Sequence, residues 1–297
     1  MDNRKNEPRS LVMIISSMLV FGSIGVFRRY IPASSAFLAC TRGLIGGLFI
    51  LAFLRLKGRR IRGGMTSWQA VWLVITGILI GINWILLFEA FNYTTVPVAT
   101  LCYYMQPTIV VLLSPLIFKE RLTKKKAVCA AAAIVGMVLV SGVVGGSGSQ
   151  GGSMKGVLFG LGAALFYATV VMMNKKMPGI DAYQKTMVQL LSAGIVMIPY
   201  LLITGGPYST GGFSARAVIL MLIVGIVHTG IAYVSYFGSM DGLRIQTIAL
   251  LSYIDPVSAL FFSAVFLKEP LSALGVVGAV LIIGSAVISE TQSEPGA

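Results

Sequence analysis

The chain has 297 residues, of which 56% are hydrophobic and only 11% charged. Soluble domains carry about a quarter charged residues, so an ordinary globular protein is excluded and a polytopic membrane protein is expected. The formal charge of +13 comes from 23 Lys and Arg that sit almost wholly between apolar runs, the positive-inside pattern of membrane loops rather than a nucleic-acid-binding face.

A basic tail, 1–10, precedes an apolar run over 11–27 that could pass for a secretory leader. Its counterpart at 156–173 opens the second half, so it is read as a retained first helix. The second predicted helix spans 34–54 and contains Arg42, and the loop 55–62 after it holds five basic residues. The third spans 68–91, with Trp68 and Trp72 at its mouth as interface anchors. The fourth follows the turn 92–95 and reaches 118, and five more basic residues lie in 119–126. The fifth spans 127–144. A Gly/Ser linker, 145–153, lacks the Gly-Lys-Ser/Thr ending of a phosphate-cradling loop, which argues against a nucleotide-driven pump. Five more helices are expected at 156–174, 182–204, 216–238, 245–267 and 271–289, before an acidic tail. Spanning the hydrocarbon takes ~20 mostly apolar residues, so ten helices fit this length and twelve would be crowded.

One stretch occurs twice. Residues 103–122 read YYMQPTIVVLLSPLIFKERL and 252–271 read SYIDPVSALFFSAVFLKEPL; aligning Pro256 with Pro107 also aligns Lys268 with Lys119 and Glu269 with Glu120. In each copy a polar residue, Gln106 or Asp255, precedes a proline inside an apolar helix, a pattern that points to the binding site of a transporter. The expected fold is therefore an all-α membrane protein of ten helices in two repeats, 1–144 and 154–297, joined by the 145–153 linker. With the N-terminus inside, sixteen basic residues fall in cytoplasmic loops and five opposite, which puts both termini in the cytoplasm. Five helices per half then make the repeats inverted, with a shared site at the midplane.

An ionisable side chain at mid-bilayer costs at least ~2.5 kcal/mol, so each needs a reason. Counted along the predicted helices, Arg42, Gln106, His228 and Asp255 lie near the middle, and Glu89 nearer the outer mouth. Asp255 and Glu89 are candidate proton or cation carriers, since low-dielectric surroundings let a carboxyl group exchange its proton within a cycle; the alternative is a permanent ion pair with Arg42. Arg42 is either a clamp for a substrate carboxylate or a structural partner. His228, the one histidine, either hydrogen-bonds in a cavity or makes an interhelical contact, and Lys185 is expected to snorkel to the interface. Trp84, Tyr103, Tyr104, Tyr167, Tyr233, Tyr236 and Tyr253 are candidates to line a substrate cavity. Pro107 and Pro256 are expected to bend or open their helices, and Gly43 with Gly47, Gly77 with Gly81 and Gly156 with Gly160 to mark close helix contacts. Cys40, Cys102 and Cys129 show no paired spacing, so no metal, disulfide or cofactor is expected.

FEAFNYTT from Phe88, a proline in the fourth helix, and KERL from Lys119 with KEPL from Lys268 resemble the EamA family of the drug/metabolite transporter superfamily, and HTGIAYVSYF from His228 resembles that family's eighth helix. The resemblance covers nearly the whole chain. It implies ten helices, cytoplasmic termini in the cell membrane, and a cavity lined by helices 1, 3, 4, 6, 8 and 9. The implied function is export of amino acids or related small metabolites by alternating access, driven by a proton or substrate gradient. Pro270 stands where the second ending usually has Arg, and Asp255 where Glu or another polar residue is common. An uptake carrier or exchanger for an organic cation or nucleotide-like metabolite is the alternative. An intramembrane enzyme is remote, because one histidine, scattered cysteines and no HExxH or GxSxG offer no nucleophile–base or metal set. The expected partners are a small-molecule substrate and the lipid bilayer, with the protein a monomer or homodimer.

Overall fold

The computed structural model describes residues 7–58, 66–118, 123–140, 153–177, 180–204, 214–239, 251–269 and 271–290. The described elements are all helical, with no strand among them. They are α1 Glu7–Arg29, α2 Ser35–Leu56, α3 Ser67–Tyr93, α4 Val96–Tyr103, α5 Gln106–Phe118, α6 Lys124–Val140, α7 Met154–Lys175, α8 Ala182–Thr204, α9 Ala215–Ser239, α10 Ile254–Leu267 and α11 Ala273–Glu290. Among the described residues, seven helical spans, counting α4 and α5 as one, are long and apolar enough to cross a membrane; α10 and α11 are shorter apolar helices. The fold is that of an all-α membrane protein. Most of the expected 145–153 linker, the KERL ending and 245–250 lie outside the described residues.

Helix starts follow the sequence closely. Ser34, Thr66, Thr95, Ser153 and Ser214 each accept a hydrogen bond from a backbone N–H of the first turn, and Thr66 with Gln69 forms a reciprocal capping box. The expected fourth helix is two pieces, α4 and α5, separated at Tyr104 and Met105. Pro107 has no N–H to bond the carbonyl four residues back, and its ring crowds that position. The eighth expected helix, α9, contains a π-helical segment, Val224–Ile231, flanked by α-helix, and α10 ends in another, Ser263–Leu267. Neither widening was anticipated.

The bundle is built from helix pairs that join the two halves of the chain: α2 lies on α8, α3 on α7 and α8, α6 on α11, and α1 on α9 and α10. Glycines set these crossings. A Cβ placed on Gly43 would lie 2.9 Å from both the Gly194 nitrogen and the Leu190 carbonyl of α8, and Gly47 faces Leu191 in the same seam. Gly77 faces Gln189 and Ser192, Gly81 faces Met197, and Gly156 and Gly160 face Thr94 and Cys102. All three small-xxx-small pairs read from the sequence thus mark close contacts. Gly136 and Gly278 meet at the α6–α11 crossing, and Gly22 lets α1 approach the Asp255 carbonyl and Ser258 of α10. Gly43→Leu is expected to destabilise the protein by about 1–3 kcal/mol, because the neighbours it meets are backbone and cannot rotate away. Thermal unfolding in detergent, with a lowered midpoint, checks this.

Between these crossings lies a core around Leu38, Ile50, Trp84, Phe88, Phe91 and Leu190. A second apolar cluster, with Leu101, Cys102, Ala133 and Ile282, joins α4, α6, α7 and α11.

Candidate functional site: a carboxylate, a guanidinium and a ring of tyrosines

Both Gln106 and Asp255 fall in the first turn of a helix, each directly ahead of its proline. Proline is tolerated there because the first four N–H groups of a helix have no intrahelical partner. α4 ends at Tyr103, and the next residue, Tyr104, donates its hydroxyl to Asp255 Oδ2. The carboxylate is thus held between α4 and α10 where both helices terminate. On its other side, Ser258 Oγ donates 2.9 Å to the Asp255 carbonyl and reaches the Met18 carbonyl of α1 at 3.5 Å.

Aromatic rings extend from this contact. Tyr103 stands edge-on to Tyr104 with centroids 5.9 Å apart and tilts against Tyr167 at 5.7 Å. Phe21 of α1 meets Tyr233 at 5.2 Å, and Tyr233 and Tyr236 both contact Phe237. Tyr236 also shares a side-chain hydrogen bond with Ser252. Tyr103, Tyr104, Tyr167, Tyr233, Tyr236, Tyr253 and Asp255 are all half-buried.

Arg42 is 4% exposed. Trp84 and Phe88, one helical turn apart on α3, lie beneath its guanidinium at 4.2 Å and 5.6 Å from the ring centroids. Its Nε donates 3.1 Å to Thr229 Oγ1, and Thr229 Oγ1 in turn donates to the Val224 carbonyl five residues back, a reach the π-helical segment supplies. No carboxylate among the described residues is within ion-pair distance of Arg42. Its two terminal amino groups have no hydrogen-bond partner among the described residues. Tyr103 and Tyr233 lie within electrostatic reach of both Arg42 and Asp255.

The permanent ion pair between Arg42 and either carboxylate is therefore not what the structure has. Glu89 sits at the end of α3, where it accepts 3.4 Å from Asn92 Nδ2 near Arg28. His228, 2% exposed, is an interhelical contact: Nε2 is 2.9 Å from Ser23 Oγ of α1, and Phe27 meets its ring at 4.6 Å. Gln106 is half-buried and makes no side-chain hydrogen bond among the described residues, and Pro107 faces a small cavity between α5, α6 and α11 with Lys126, Cys129 and Ser285. Pro256 is buried beside Asp255. Lys185, in the first turn of α8, donates to the Met177 and Asn174 carbonyls and so satisfies the end of α7.

Other polar residues within the spans, not read from the sequence as site candidates, are hydrogen-bonded between helices. Asn83 is fully buried, donates 2.6 Å to the Ala163 carbonyl and leaves its own oxygen without a partner. Gln189 joins Thr76 and Asn174, both at 2.8 Å. A polar side chain within an apolar run was the available signal for Thr76 and Asn83. Nothing local marked Ser23 as the partner of a histidine 205 positions away.

Comparison with known proteins fits this arrangement. The sequence profile of the EamA-like transporter family matches residues 8–142 and again 154–291. The chain belongs to the EamA-like transporter family. It is a multi-pass membrane transport protein rather than an enzyme. Among EamA-related proteins, the chain is 28% identical to the uncharacterized transporter YxxF of Bacillus subtilis over 263 residues, 88% of this chain and 83% of that protein. It is 26% identical to Protein PecM of Dickeya dadantii, covering 89% and 86% of the two chains, and 22% identical to Protein RarD of Salmonella typhimurium, covering 89% and 88%. A solved crystal structure has the same fold at a TM-score of 0.65 and 18% identity, covering 95% of this EamA-like chain and 96% of its own.

Proposed function

We propose that this protein is a secondary active transporter that exports a small zwitterion of the amino-acid kind across the cytoplasmic membrane by alternating access, with Asp255 carrying the coupling proton. The observation that carries the reading is the pairing of Arg42, which has no counter-ion among the described residues, with the Tyr104-bound carboxylate of Asp255 through Tyr103 and Tyr233, which are in reach of both charges. A cation and an anion that do not neutralise each other suit a solute bearing both charges, and the aromatic faces suit its ammonium group. Glu89, nearer a mouth, is the second carboxylate in this reading.

The helix pairing supports two repeats of five spans. The second span of each half meets its own counterpart, α2 with α8, and the last spans do the same, α6 with α11. First meets third crosswise, α1 with α9 and α7 with α3, and first meets fourth, α1 with α10 and α7 with α4. A two-fold axis between the halves would generate this exchange. The basic-residue bias puts both termini in the cytoplasm.

A thermal-shift screen in detergent tests the substrate class, since a ligand of the folded state raises the melting temperature. Amino acids are expected to raise it, while the matching amines and carboxylic acids, each lacking one charge, leave it unchanged. Stabilisation by polyamines, quaternary amines or nucleosides alone would refute the zwitterion reading. Gradient-driven flux in proteoliposomes, with pH imposed in either sense, tests coupling and direction.

A further inference from the structure

α4 and α10 are joined a second time, away from the Tyr104–Asp255 contact. Val96 opens α4 and Glu269 follows the end of α10, and the Val96 backbone N–H donates 2.9 Å to Glu269 Oε2. The other oxygen, Oε1, accepts 3.1 Å from Arg29 Nη2, the last residue of α1, which also donates 2.8 Å to the Thr94 carbonyl. Ser263 Oγ adds a contact at 3.3 Å to Oε2. One carboxylate thus gathers the ends of three helices. A carboxylate at the first N–H of a helix is also favoured by the helix dipole.

Beside it Arg28, 6% exposed, donates to the Ile31 carbonyl, Asn92 Oδ1 and Ser35 Oγ, closing α1 onto α2 and α3. The chain reaches Glu269 through a π-helical turn and through Lys268, whose φ of 57° is the left-handed conformation that non-glycine residues avoid. The segment adopts that geometry where Glu269 has three partners to reach. Without them the local preference of the backbone is to relax.

We propose that Glu269, with Arg29 and the Thr94–Val96 backbone, is a latch that shuts this mouth of the transporter, and that it releases when the mouth opens. This rests on the alternating-access reading above. The same helices carry the carboxylate of the solute site at one end and the latch at the other, so a change at Asp255 that shifts α10 along α4 pulls on both contacts.

The test uses full-length protein in liposomes, in a Cys129→Ser background that leaves the buried Cys40 and Cys102 unlabelled. Nitroxide labels at Tyr93→Cys and Leu274→Cys report the gap between the α3–α4 and α10–α11 turns. Unmodified latch residues should give one short-distance population. Glu269→Ala and, independently, Arg29→Ala should each raise the ratio of long to short distances by about tenfold, the size of one charged hydrogen bond, whereas Arg29→Lys keeps the short population. Distance distributions in Glu269→Ala and Arg29→Ala that match the parent would overturn the latch. Amino-acid flux is measured on the same preparations: widened distances without amino-acid flux in the parent support the latch while rejecting the amino-acid substrate, and flux with unchanged distances does the reverse.

Discussion

Asp255→Asn is expected to reduce proton-driven flux in proteoliposomes to the level of empty vesicles while leaving solute–solute exchange measurable. The asparagine oxygen can still accept from the Tyr104 hydroxyl, so the α4–α10 contact persists; what is lost is a group that can take up and release a proton. Tyr104→Phe should act in the complementary way, keeping the carboxyl group but leaving it without its phenol. A hydrogen bond to a charged group contributes about 1.5–3 kcal/mol, so a fall in flux of roughly tenfold or more is expected. Glu89→Gln, at the end of α3 beside Asn92, should cost less than either. Undiminished proton-driven flux in Asp255→Asn would remove this carboxylate from the mechanism.

Arg42→Met should move stability and binding in opposite directions. The guanidinium is almost fully buried, has one hydrogen bond and no counter-ion among the described residues, so the folded state carries the desolvation of an uncompensated charge. Replacing a buried charge by an apolar side chain of similar volume is often neutral or stabilising by about 1–4 kcal/mol, and methionine keeps a favourable contact with the rings of Trp84 and Phe88. The melting temperature should hold or rise. The affinity for a carboxylate-bearing solute should fall by about a hundredfold, the value of a two-pronged charged contact. A variant that melts lower and still binds amino acids normally would show Arg42 to be a structural strut.

The sequence made the frame legible for identifiable reasons. Apolar runs of spanning length, serine and threonine caps and the two polar-proline steps are local signals, and each has its physical cause within a few residues. Glycine spacing on α2, α3 and α7 foretold the seams because close approach leaves no room for a side chain. Pairings between distant segments were not legible. The partners of Arg42 proved to be the faces of Trp84 and Phe88 on the neighbouring α3 and the hydroxyl of Thr229 on α9, whereas the sequence offered only carboxylates of opposite charge and held no sign of this pairing. Lys185 reads as an interfacial lysine until the end of α7 is seen within its reach. The π-helical segments leave no compositional mark at all, since they differ from α-helix only in which carbonyl each N–H selects.

The wide turn over Val224–Ile231 carries a consequence for how this transporter tolerates change. A π-helical stretch holds one more residue than the α-helical register accommodates, so deleting a single residue there would tighten it to ordinary helix while leaving the helix beyond it in nearly the same rotational phase. Tyr233 and Tyr236 would still face Phe21, while Thr229 would lose its reach to the Val224 carbonyl five residues back. Single substitutions along that stretch alter one contact at a time, whereas a one-residue deletion removes the wide turn and the contacts made within it together, the Thr229 support of Arg42 among them. Solute preference at Arg42 is therefore open to change through the backbone of α9 as much as through side-chain identity.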